Sequence, residues 1–287
     1  MTRGRLVPVM TVLLAIVAVW YLAAIRMNAQ WERDQAARAE VTLTLPDLVA
    51  RTLVQERPVL PAPTRWLSAC GRAGRSGHHP RRSLVWHAWV TLSATLAGFA
   101  IGTGAGILLA VGIVHSRSMD QSVMPWAVAS QTVPILAIAP MVIGSCPAWV
   151  SRVFAQGDHR RMAVVLSGAG RHGQGPAHPD AMQLDQMRSW SASNAQVFWR
   201  LRLPSSLPFL FASLKVAIAA ALVGTIVGEL PAGATAGLGA RLLSGSYYGQ
   251  TVQIWSALFV AALLAAGLVA IVGWLERRTL SRMGLAR

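Results

Sequence analysis

Five stretches of this chain, residues 6–25, 88–114, 123–144, 207–230 and 252–275, are apolar for about the 20 residues that an α-helix needs to cross roughly 30 Å of hydrocarbon. In lipid, every backbone N–H and C=O must find its partner within the protein, so runs of this length admit helices and little else. The expected fold is all-α, a polytopic membrane helical bundle. Composition agrees: 54% of the 287 residues are hydrophobic and 13% are charged. The formal charge of +15 would suit a nucleic-acid partner, but the arginines lie mostly between the apolar runs and no basic patch is interleaved with aromatics. Anionic lipid and the bias of positive charge toward the cytoplasmic side account for it better. Lys215 is the one lysine, a codon-usage trait. Cys70 and Cys146 form no CxxC or metal-ligand spacing and the histidines no HExxH pair, so neither a disulfide, a metal nor any bound cofactor is expected.

Arg3 and Arg5 before the first run, and Arg26 after it, place the N-terminal end in the cytoplasm. A cleaved signal peptide is the rival reading, disfavoured by the length of the run and by the poor cleavage site at Ala23-Ala24-Ile25. Residues 27–86 are polar and interrupted by Pro58, Pro61 and Pro63, which argues against one continuous helix. The chain therefore divides into residues 1–87, a membrane helix with an extracytoplasmic loop, and a transmembrane domain over 88–287. Gly98 and Gly102 make a GxxxG in the second run, read as tight packing in preference to a dimer motif. Pro134 and Pro140 mark a kinked helix in the third, lining either protein or a cavity. Gly233, Gly237, Gly239 and Gly245 mark an irregular extracytoplasmic loop between the last two runs, a gate or a plain connector. Two ionisable groups fall in the fourth run. Lys215 is placed to snorkel to the cytoplasmic surface, while Glu229 lies about 21 Å further along the helix, too far to pair with it.

The segment 185–204, DQMRSWSASNAQVFWRLRLP, is polar, basic and helix-forming inside this apolar frame. Trp190, Val197, Phe198 and Leu201 can give it an apolar face, since 190, 194, 197, 198 and 201 are helically spaced, with Arg188, Arg200 and Arg202 around it. An amphipathic interfacial helix is the plainer reading. The segment resembles the cytoplasmic loop of permease subunits of ATP-binding-cassette importers, the binding-protein-dependent inner-membrane components, near their nitrate, sulfonate, taurine and pyrimidine-precursor branch. That loop begins Glu-Ala-Ala, carries a glycine a few residues on and ends in Leu-Pro. Here Asp185 takes the acidic position, Gln186 and Met187 the two alanines, Ser191 the glycine, and Leu203-Pro204 the end.

The resemblance implies a type I importer permease with six spans, in a bacterial inner membrane. It implies a coupling loop over 180–204 in which Asp185, Arg188, Trp190, Ser191, Ala192, Val197, Phe198, Arg200, Leu201, Leu203 and Pro204 dock on a cytoplasmic ATP-binding subunit. Pro134, Pro140, Glu229, Gly237 and Gly239 would line a translocation path or gate. A small solute would arrive from an extracytoplasmic substrate-binding protein and cross by alternating access, with a second permease subunit, expected to be identical, completing the path. The sequence holds no GxxxxGK[ST] phosphate loop, so ATP is expected to be hydrolysed by the partner and the chain itself not to be an enzyme.

With both chain ends expected in the cytoplasm the spans must be even in number, yet five are visible. Residues 145–179 hold Asp158, His159, Arg160 and Arg161 in a row and are glycine-rich thereafter, so no window of them would insert. Read one base later, permissible codons for 156–179 encode an apolar span, which points to a compensated frameshift; residues 65–82 have the same composition. The competing functions are an ion-coupled secondary transporter or channel, which would want buried ionisable groups at repeat-related positions, and a defective permease lacking its fourth span.

Overall fold

The computed structural model describes residues 3–73, 83–116, 118–119, 121–123, 125, 181–230 and 235–284. Its secondary structure is helical throughout: α1 (Arg3–Arg38), α2 (Leu45–Val54), α3 (Pro63–Ala73), α4 (Leu84–His115), α5 (Ala181–Ser189), α6 (Asn194–Val197), a π turn (Phe198–Arg202), α7 (Leu203–Glu229), α8 (Leu238–Tyr247) and α9 (Thr251–Arg282). Among the described residues, four helical stretches are long and apolar enough to cross a membrane: Val7–Arg38, Leu84–Leu109, Asn194–Glu229 and Thr251–Arg282. They account for four of the five expected spans. The remaining one, with Pro134 and Pro140, and the segment 145–179 lie outside the described residues, as does Gly233.

The chain forms two compact units. One draws on Met1–Trp89 and Thr235–Ala261, the other on Val90–Ala234 and Ala262–Arg287; α4 is continuous through residues 87 and 88.

In the first unit, α1 changes character along its length. Val12, Leu13, Leu14, Ile16 and Val17 are all exposed; near-consecutive positions point in every direction around a helix, so this half is suited to lipid on all sides. Beyond Ala24 the helix continues as a polar one, and Asn28 and Ala29 are buried. Asn28 is the pin. Its Oδ1 accepts from the backbone N–H of Val59 at 2.8 Å and of Leu60 at 3.3 Å, and its Nδ2 donates to the Leu60 carbonyl at 2.9 Å. The proline-broken stretch between α2 and α3, with Pro58 and Pro61 fully buried, thereby has its backbone satisfied by one side chain. The expected absence of a continuous helix across these prolines holds, but α2 and α3 flank them. Both are strongly amphipathic, and α2 has Pro46 in its first turn, where a missing N–H loses nothing. Trp66 of α3 stacks flat on Phe259 of α9, centroids 3.7 Å apart. Trp20 meets Trp255 edge-on at 5.0 Å and donates its indole N–H to the Pro61 carbonyl at 3.1 Å.

Asn28→Ala is therefore expected to strand two backbone N–H groups and lower unfolding stability by about 2 kcal/mol. Thermal unfolding of the purified protein checks this, and an unchanged midpoint would contradict it.

Half of the loop expected between the last two spans is a helix, Leu238–Tyr247. Leu238 is fully buried, and α8 packs so closely on α9 that a Cβ on Gly245 would lie 2.7 Å from Ile254 Cγ1. Glycine here serves close approach of helices, which a turn-forming count of glycines misreads. In the second unit, Ile218 of α7 packs with Leu268 and Val272 of α9, and Leu92, Phe99, Phe211 and Leu214 close around them.

Candidate functional site

The segment 181–204 is a helix, an elbow and a second helix. α5 ends in a Schellman motif: the Ser191 N–H donates to the Arg188 carbonyl at 2.9 Å and the Ala192 N–H to the Met187 carbonyl at 3.0 Å. That geometry puts the residue at the turn in the left-handed region, and Ser191 has φ 52°. Ser193 then restarts the chain with a capping box, its Oγ accepting from the Gln196 N–H at 3.3 Å and its own N–H donating to Gln196 Oε1 at 2.9 Å. The S-x-x-Q signature was legible in the sequence and was missed. Trp190 consequently does not share a helix with Asn194, Val197, Phe198 and Leu201, so the single apolar face expected over 190–201 is corrected to two separate surfaces.

A residue with a Cβ at such a left-handed position costs about 1–2 kcal/mol relative to glycine. Ser191→Gly is expected to strengthen the elbow by about 1 kcal/mol, raising hydrogen-exchange protection of the α5 amides by about fivefold. Unchanged protection would show that the strain is relieved elsewhere.

The second helix carries the loop into the membrane without interruption. Pro204 has no N–H and its ring crowds the carbonyl one turn back. The chain answers with the π turn, in which the Leu203 N–H reaches the Phe198 carbonyl five residues back. Phe198 is buried and meets Trp199 edge-on at 5.5 Å, whereas Trp199 and Trp190 are 65% and 68% exposed. Val197, Leu201, Leu203 and Pro204 are half-buried, Asp185, Arg188 and Arg200 exposed and Ala192 intermediate. Arg188 pairs with Asp185 one turn back at 3.1 Å. The outward surface is thus Asp185, Arg188, Trp190, Asn194, Trp199 and Arg200. Trp199 is an addition to the sequence reading, which weighted the buried face.

The ionisable groups of α7 find partners on other helices. Lys215 Nζ pairs with Glu276 of α9, and Glu229 accepts from the hydroxyl of fully buried Thr91 on α4 at 2.9 and 3.1 Å. Gly237 precedes α8 with φ 122°, a conformation that favours glycine, and its N–H donates to His87 Nδ1 at 2.9 Å; Gly239 is buried in the first turn of α8. Among the described residues no cluster of three or more His, Cys, Asp or Glu side chains could hold a metal.

Residues 177–284 match the family model of the binding-protein-dependent transport system inner membrane component. The chain is 30% identical over 208 residues to the riboflavin transport system permease protein of Chloroflexus aurantiacus, an overlap covering 71% of this chain and 75% of that one. It is 28% identical over 185 residues to the formylaminopyrimidine transport permease protein of Halalkalibacterium halodurans, covering 62% and 70% respectively. With a putative aliphatic sulfonates transport permease protein of Bacillus subtilis it shares 22% over 202 residues, covering 69% and 70%. Such subunits are not themselves catalytic; ATP is hydrolysed by a separate partner, and a substrate-binding protein belongs to the same system. The continuity of one helix from an exposed elbow into the membrane, together with these matches, places the chain in the binding-protein-dependent inner-membrane component family, the permease subunits of ATP-binding-cassette importers.

Proposed function

We propose that the elbow at Trp190–Ser193 and the exposed face of the following helix are where the ATPase subunit engages, and that alternating access of the membrane helices carries a small solute inward. The observation that carries this is the shape of 181–204. It holds two exposed tryptophans around a rigid turn, joined without a break to a 36-residue helical stretch, Asn194–Glu229. Movement imposed at the elbow reaches the spans directly. The orientation is the one that puts Arg3, Arg5, the elbow and the basic end of α9 in the cytoplasm of a bacterial inner membrane, with a second copy of the chain completing the path. The relatives' names suggest riboflavin, formylaminopyrimidine and aliphatic sulfonates as first solutes to try.

The test is reconstitution of the chain with its ATPase and binding protein in proteoliposomes. ATP-dependent uptake that requires the binding protein supports the reading; uptake driven by an ion gradient without ATP would overturn it. Lys215 pairs with Glu276 and Glu229 accepts from Thr91, each contact joining α7 to another helix. For residues 145–179 the proposal remains an out-of-frame reading of a fourth helix, and resequencing the gene decides it, since codons that forbid the apolar frame would sink the idea.

A further inference from the structure

The first unit contains an open cleft of about 400 Å³ that no part of the transport mechanism above uses. Its lining comes from the chain just after α2, from α3, from Leu84 at the start of α4, and from the first turns of α8 and α9, and includes Glu56, Arg57, Arg65, Arg241 and Gln253. The volume falls within the range of small-molecule sites. Three guanidinium groups against one carboxylate set its sign.

Two of these arginines are held in place. Arg65 Nη1 donates to the Gln55 carbonyl, a neutral acceptor that takes one of five N–H donors and none of the charge. Gln253 fixes Arg241, accepting from its Nη1 at 3.1 Å on Oε1 while its own amide donates to the Arg241 carbonyl at 3.3 Å and to Ser244 Oγ at 3.0 Å. Its amide is thereby committed to positioning. Arg57 is exposed, at the mouth. The backbone that presents Arg57 is anchored next door, where Asn28 holds Val59 and Leu60. Guanidinium groups on a fixed frame match carboxylate, sulfonate and phosphate oxygens two at a time, which a lysine cannot do.

We propose that this cleft binds the anionic group, a carboxylate, sulfonate or phosphate, of a small molecule, with Arg57 and Arg65 as the residues that contact it. In the orientation proposed above it lies on the extracytoplasmic side, at the start of α9. The ligand is then either a solute on its way to the membrane path or the phosphate of an outer-leaflet lipid. Only the link to import rests on the permease reading; binding does not.

The experiment is calorimetric titration of the purified full-length protein in phosphatidylcholine nanodiscs with methanesulfonate, acetate and inorganic phosphate, and with dimethyl sulfone as the uncharged isostere. The expected result is binding of at least one anion and none of the sulfone, weakened about tenfold or more by Arg57→Gln and by Arg65→Gln and unchanged by Arg51→Gln on the exposed face of α2. Because Arg57 is exposed, its variant tests the site even if Arg65→Gln disturbs the turn it anchors. Repeating the titration in phosphatidylglycerol nanodiscs separates the two sources: loss of the anion signal there, with the lipid retained by wild type and shed by Arg57→Gln in native mass spectrometry, assigns the site to a lipid headgroup. Equal affinity for the sulfone, no anion or lipid binding, or binding indifferent to Arg57→Gln would overturn the proposal. Anion binding without ATP-driven uptake would leave the cleft standing and remove the permease reading instead.

Discussion

Lys215→Met is expected to lower the unfolding free energy of the detergent-solubilised protein by about 3 kcal/mol, and adding Glu276→Leu to restore most of that loss. Lys215 lies about 18 Å along α7 from Leu203, roughly three turns into the helix. Its ammonium is balanced by Glu276, and its stem passes Gly273, where an added Cβ would stand 3.6 Å from Lys215 Cε. The same two helices also build an apolar cluster, with Ile218 and Leu214 from α7 and Leu268, Val269 and Val272 from α9. Removing one partner strands the other charge at low dielectric; removing both leaves two apolar side chains in an apolar place. Unfolding by a denaturing detergent, followed for the two single variants and the double, measures the coupling. If the double variant is as unstable as the sum of the singles, the pair contributes nothing beyond independent contacts.

Trp190→Ala and Trp199→Ala are each expected to weaken association with the ATPase subunit by about 30-fold, the range of an interface anchor, with thermal stability unchanged. Both side chains are about two-thirds exposed, so their truncation opens no cavity within this chain. Phe198→Ala is the contrasting variant. Its ring is buried, and its loss should lower stability by about 3 kcal/mol. Pull-down of the ATPase subunit and thermal unfolding, measured side by side, separate the two classes. Should Trp190→Ala and Trp199→Ala assemble normally, the ATPase engages some other surface.

Hydropathy made the long helices legible because each apolar run reports on itself. Runs 207–230 and 252–275 correspond to α7 and α9, though α7 begins before its run, at Leu203, and α9 continues beyond its run to Arg282. What a run cannot report is its partner. Along its own helix Lys215 has only Glu229 as a counter-charge, and nothing in the sequence marks that Glu276, 61 residues away, comes alongside. The same limit hid α2, α3 and α8: short helices in polar or glycine-rich stretches owe their stability to packing, as Leu238 and Gly245 show, and carry no long period of their own. In the segment 181–204 the spacing of 190, 194, 197 and 201 suggested one face, while the local chemistry of Ser191 and Ser193 decided for a break. The departure from glycine at Ser191 was visible in the sequence, and the structure supplies its meaning, a left-handed turn occupied by a residue with a Cβ.

The stretch Asn194–Glu229, 36 residues without a break in its helical path, is about 54 Å long. A continuous helix of that length can tilt as a lever. A tilt of about 5° about its midpoint displaces each end by about 2.4 Å in opposite directions, so a push at the elbow arrives at Glu229 as an equal and opposite stroke. If the ATPase subunit engages the elbow as proposed, loop and far end of the helix would move together, and the timing of events at its two ends would be set by how fast that helix rocks rather than by relay through successive contacts.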